Sequence, residues 1–177
     1  MPLKPRWKVI SLLAAVGCAA ASPAFAQQQP PPPYKEMTEH KTTLDHFRRL
    51  GNDRGAVGLA ARHVLAIMIP HDQREEQFVL PLLSLTATVV DGKVGPELAW
   101  AIPMTDRLAA ERSTLFSEHA AIIGALTELT DAARARHDLN LMAFAEQVAM
   151  DEVNDGEFVY PSALLVGSVI RAKLTQK

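Results

Sequence analysis

The chain has 177 residues, 48% of them hydrophobic and 21% charged, with a formal net charge of −2 and a single cysteine. A balance on the acidic side offers nucleic acid no basic surface to settle on, and one cysteine excludes a disulfide framework or a multi-thiolate zinc site. No glycine-rich phosphate loop, nucleophile elbow or CxxCH haem attachment is present, which excludes the enzyme classes built on them.

The N-terminus reads as an export signal. Lys4, Arg6 and Lys8 form a basic start, Val9 to Ala21 an apolar run, and Ala24-Phe25-Ala26 a small-residue cleavage site, so cleavage is predicted after Ala26. The run is short of the ~20 residues that a membrane span needs. A lipoprotein signal at Cys18 is the alternative, but Ala15-Val16-Gly17-Cys18 lacks the usual leucine. The expected location is therefore the periplasm or the exterior, without stable membrane insertion. Removing residues 1–26 leaves 15 basic and 20 acidic residues, no cysteine, and a net charge of −5. Gln27 to Pro33 is a Gln/Pro tract that cannot pack. The expected organisation is a signal at 1–26, a tether at 27–35 and one domain at 36–177.

From Tyr34 the pattern is helical, with Met37, His40, Leu44 and Phe47 on one face and His46 pointing outward. Gly51 to Gly55 breaks the helix. A second helix is predicted from about Ala56 to Leu83, with a kink or fresh start at Pro70. In its last turns His71 and Glu75 are four residues apart and share a face with Val64 and Met68. His63 lies off that row and reads as a boundary histidine. Residues 84–103 contain turn signals and read as a crossover, with a short helix holding Trp100 against the rest. Thr105 or Asp106 is the expected start of a third helix, whose stripe of Leu108, Leu115, Ile122, Leu126 and Leu129 includes His119. A fourth helix begins near Asn140 with the row Leu141, Phe144, Val148, Asp151, Asp155 and Phe158, and Pro161 interrupts it before a final segment from Ser162 to Leu174.

The second and fourth helices end alike. His71 and Glu75 precede Pro81 by ten and six residues, and Asp151 and Asp155 precede Pro161 by the same intervals. His40 lies 31 residues before His71, and His119 lies 32 before Asp151. This is a degenerate internal duplication. It places His40, His71, Glu75, His119, Asp151 and Asp155 on four inward rows, a nitrogen and oxygen set suited to one or two iron or manganese ions. Buried carboxylates in such a core need protons, cations or a metal to neutralise them. A bundle whose second half has lost its ligands, leaving one metal or none, is the alternative.

The segments His71-x3-Glu75-Glu76-x4-Pro81, Phe116-Ser117-Glu118-His119-Ala120-Ala121-Ile122 and Val159-Tyr160-Pro161-Ser162-Ala163-Leu164-Leu165-Val166-Gly167 resemble the hemerythrin-like, HHE cation-binding family. The resemblance spans about residues 36–174. It implies an all-α, up-and-down four-helix bundle with a non-haem di-iron centre that binds dioxygen or nitric oxide, senses redox state, or buffers iron. Carried over by position, the implied ligands are His40, His71, Glu75, His119, Asp151 and Asp155. The second copy departs from the family where Asp151 and Asp155 stand for His and Glu, and where Gly156 replaces a second acid. Glu152 or Glu157 can substitute if the helix shifts register there. The more carboxylate-rich set favours oxygen activation, peroxide handling or iron binding over reversible oxygen carriage. A metal- or oxygen-binding protein is expected rather than an enzyme, or else a metal-free interaction or stress-response module.

Overall fold

The computed structural model describes residues 34–176, and the predicted signal and most of the tether lie outside the described residues. The described residues are helical without strands and form four long arms, compatible with a four-helix bundle. The arms are α1 (Tyr34–Leu50), α2 (Ala56–Arg74) continued by α3 (Leu80–Leu83), α5 (Ala101–Ala135), and α6 (Leu139–Asn154) continued by α7 (Tyr160–Thr175). The crossover holds α4 (Thr86–Val90) and a 3₁₀ turn at Pro96–Leu98. No helix among the described residues is long and apolar enough to cross a membrane.

Local signals explain the reversals. Asp138 caps α6 by accepting the Leu141 N–H at 3.0 Å, which satisfies one of the orphan donors at a helix start. Just before it, His137 takes a positive φ of 56° that lets the chain turn back. At the α1–α2 link Asp53 Oδ1 accepts the Gly55 N–H at 2.8 Å. Arg136 pairs with Asp53, so both reversals are tied at one end of the molecule. In the crossover Gly92, at φ 69°, supplies the left-handed step that the turn after Asp91 requires.

Several expectations are corrected. Pro70 gives no fresh helical start, since α2 runs through it; Met68 and His71 on either side are buried. The third long helix starts at Ala101, one turn before Thr105, because Pro103 is tolerated in a first turn. His46 is only partly exposed and stacks on Phe144, ring centroids 4.0 Å apart. Phe158 is exposed rather than inward. His63 is exposed and contacts Glu128, and Trp100 packs partly buried against the bundle, both as their sequence settings suggest.

The arms break pattern at two matching places. Glu75–Val79 and Asp155–Val159 are single π turns, closed by Leu80 N–H to Glu75 and Tyr160 N–H to Asp155. Each directly precedes a helix with proline as its second residue. Pro81 and Pro161 lack a donor and crowd the carbonyl four residues back, and opening the ladder by one residue relieves that conflict. The extra residue also re-aims the side chains that follow.

The core has two parts. One is built on Phe47, Val64, Met68, Ile122, Leu126 and Val148, the other on Phe78, Leu82, Leu108, Leu115, Tyr160 and Ile170. On every arm but α1, a polar residue separates them: His71 and Glu75 between Met68 and Phe78, His119 between Leu115 and Ile122, and Glu152 between Val148 and Tyr160.

Candidate metal centre

That polar layer is a convergence of donors. His71, Glu75 and His119 are 1%, 2% and 4% exposed, and their ligand atoms all lie within 4.8 Å of one another. The two imidazoles point their Nε2 atoms at each other across 2.9 Å. Glu75 Oε1 is 3.5 Å from His71 Nε2 and 3.8 Å from His119 Nε2. Donors about 2.1 Å from one ion stand roughly 3 to 3.5 Å apart in octahedral or tetrahedral geometry, so these separations suit a shared cation.

A fourth donor, the second acid, faces the same point. Glu152, 6% exposed, places Oε2 3.9 Å from His71 Nε2 and 3.7 Å from His119 Nε2. That oxygen is buried with no hydrogen-bond partner. An orphaned buried carboxylate oxygen costs several kcal/mol unless a proton or a cation compensates it. The donor set of two imidazoles and carboxylates therefore fits a divalent transition-metal ion such as zinc, iron or manganese.

The surrounding hydrogen bonds hold the His71 imidazole in a ligating pose. His71 Nδ1 is 3.1 Å from Glu118 Oε2, and Arg74 holds the other oxygen of Glu118. Donation from Nδ1–H to this carboxylate leaves the Nε2 lone pair aimed at the centre, the second-layer arrangement that fixes a metal-binding tautomer. Tyr160, fully buried, donates to Glu75 Oε1 at 2.6 Å and lies 2.8 Å from His119 Nε2. One turn before it, a Cβ on Gly156 would lie 2.9 Å from Phe116 and 3.4 Å from His119 Nδ1. The missing side chain makes room for the Phe116 ring.

Charge balance in the metal-free site is kept by protons. Burial pulls His71 down, but Glu75, Glu152 and Glu118 outweigh it and raise the imidazole to about 9. His40 is raised to about 9 in the same way, burial being overcome by Glu75 and Asp72. Glu75 is driven up by burial yet held well below the usual carboxylate value by His119, His40 and His71. Glu152, chiefly through burial, is pushed up to about 8.

No family model, curated protein or solved structure matches the chain. Its chemistry is therefore read from its own side chains.

Of the six residues singled out from sequence, His71, Glu75 and His119 meet at the centre. His40 is adjoining, half-buried, with Nε2 3.4 Å from Glu75 Oε2 and Nδ1 3.3 Å from Glu76. Asp155 is half-buried on the wall of a neighbouring cavity, where burial and then Glu75 raise it to about 7. Asp151 is not brought in: it is exposed and accepts a hydrogen bond from Gln147 at 2.9 Å. The inward row of α6 is Leu141, Ala145, Val148 and Glu152, continued by Gly156 in the π turn and Tyr160 at the start of α7. Counting three residues on from Val148 reaches Asp151, whereas the helix buries the residue four on. Sequence spacing gave no sign of Tyr160, whose aromatic ring reads as ordinary core. Asp72, buried beside His71 and raised to about 7 mainly by burial, was hidden by its neighbour.

Proposed function

We propose that the chain binds a transition-metal ion, non-haem iron foremost, with His71, Glu75 and His119 as its ligands and Glu152 as a further acidic donor. The observation carrying this reading is the pair of buried Nε2 atoms 2.9 Å apart beside an orphaned carboxylate, an arrangement that a shared cation stabilises. Two imidazoles and one carboxylate with open positions are the set non-haem iron uses toward small oxygen-type ligands. Such a centre, when loaded, supplies a Lewis acid and a redox couple to dioxygen, nitric oxide or peroxide. The residues of the chain bind and orient it between the two apolar layers.

The reading extends to an exported, hemerythrin-like protein that senses or handles such ligands or buffers iron. His40 and the second oxygen of Glu75, 3.4 Å apart, give a carboxylate-bridged second ion a starting pair. The exposure of Asp151 favours a single-ion or degenerate centre over a complete duplicate. The test is metal content after anaerobic reconstitution with ferrous iron, measured beside His71→Ala and His119→Ala. The expected result is at least one iron per parent chain, with loss of most of it in both variants. Parent protein that keeps no iron after desalting would overturn the proposal.

A further inference from the structure

A cavity of about 420 Å³ opens beside the centre, walled by α1 on one side and the junction of α6 and α7 on the other. The two arms touch further along, where His46 and Phe47 meet Phe144, and separate toward the cluster. Seven carboxylates line the space against one lysine and one histidine. Acidic residues alone would be an ordinary solvated face, but two of these are different. Among the described residues, the buried side-chain oxygens without a hydrogen-bond partner are Glu36 Oε2 and Glu152 Oε2, and both residues line this cavity. Glu152, almost wholly buried, belongs to the inner end, where its orphaned oxygen also faces His71 and His119. Glu36 belongs to the first turn of α1. His40, one turn further along α1, reaches Glu75 Oε2 at 3.4 Å, so α1 carries donors from the outer wall to the centre.

We propose that this cavity is the entry route of the divalent cation, with Glu36, whose Oε2 has no hydrogen-bond partner, as a relay carboxylate between solvent and the buried donors. The inference rests on the metal-site reading above and adds to it a path and a residue outside the ligand set. A low-dielectric cleft lined by one sign of charge concentrates counter-ions and raises their on-rate. Lys35 is the opposing feature: its ammonium is exposed on the same wall and held 2.8 Å from Glu39. Removing the charge of Glu36 should slow uptake, and removing that of Lys35 should speed it. Neither change touches a ligand.

The test is stopped-flow uptake of cobalt(II) by the metal-free full chain, followed through the visible absorption of the bound ion. The variants are Glu36→Gln and Lys35→Gln, with Asp131→Asn, exposed on α5, as a control of equal charge change. Glu36→Gln is expected to load roughly tenfold more slowly, Lys35→Gln faster than the parent, and Asp131→Asn at the parent rate. All four reach the same final stoichiometry, and the parent rate falls as salt screens the cleft. Parent-like rates in both cavity variants overturn the route while leaving the metal site intact. A lowered endpoint in Glu36→Gln also overturns it, by making Glu36 a ligand. A parent chain that takes up no cobalt overturns the metal site, and the route with it.

Discussion

The two proline junctions begin from the same plan and end differently. Both open into a π turn five residues long just ahead of the helix that carries the proline. In the first, His71, Asp72, Glu75, Phe78, Val79 and Leu80 are all buried. In the second, Glu152, Gly156 and Tyr160 are buried, while Asp151 and Phe158, at the places of His71 and Phe78, are exposed. Covering helices make the difference. α2 lies between α1 and α5, whereas α6 packs on α5 and faces the cavity on its α1 side. A proline therefore fixes where the ladder opens, and the neighbours decide which side chains the opening buries.

The largest test of that contrast is to neutralise the two adjacent acids of α6 separately. Glu152→Gln removes the buried donor facing both imidazoles, and ferrous-iron affinity is expected to fall by about 10- to 100-fold, the range seen when a metal site loses a supporting group. Asp151→Asn, one residue away and in solvent, is expected to leave affinity within about twofold. Equal losses in titrations of the two variants would mean that α6 turns its other face inward, and the junctions would then be true copies.

The next effect is on stability against pH in the chelated protein. His40 and His71 sit near 9, Glu152 near 8, and Asp72 and Asp155 near 7, each above its usual value. Between the usual and the raised value the folded chain holds a proton that the unfolded chain has released, so folding weakens as pH rises through that window. The carboxylates begin this loss just above pH 4 and the histidines above 6.5, and it is complete near 9. Glu75 has the opposite sign: held low, it contributes at neutral pH and its contribution is lost in acid. Metal-free protein should thus show its highest Tm on the mildly acidic side and a steady fall to pH 9 in thermal melts. Bound metal replaces the protons, so the loaded protein should fall less. A metal-free Tm that rises from pH 6 to 9 would show that the polar layer is solvated instead of closed.

How far this was legible follows from the same residues. The row Val64, Met68, His71 and Glu75 could be read because a straight α-helix repeats every three to four residues and both neighbours of the row are apolar. The stripe through Leu108 and Leu129 carried His119 inward by the same logic. The α6 row failed at one step, since three or four residues on from Val148 are both allowed and Asp151 and Glu152 are both acids. Tyr160 could not be foreseen because its role depends on a π turn, and a proline does not announce one: Pro70 sits in unbroken helix. The two junctions share spacing, but burial is set by contacts between segments distant in sequence.

The smallest expected effect comes from Gly156, which stands where the first junction has Glu76. Read from sequence, glycine weakens the helix there by about 1 kcal/mol relative to alanine, so Gly156→Ala ought to stabilise. The structure sets a competing cost, because the new Cβ would meet Phe116 at 2.9 Å and His119 Nδ1 at 3.4 Å. Phe116 is partly exposed and is the residue that must give, whereas His119 is held between Tyr160 and His71. The propensity gain and the clash are of similar size, about 1 kcal/mol each, so urea unfolding of the metal-free variant should move by less than about 1 kcal/mol. With His119 only at ordinary contact distance, metal binding should stay within about twofold of the parent. A variant that gains the full propensity term would show that the Phe116 contact sets no cost, and one that loses metal would show that the strain reaches His119.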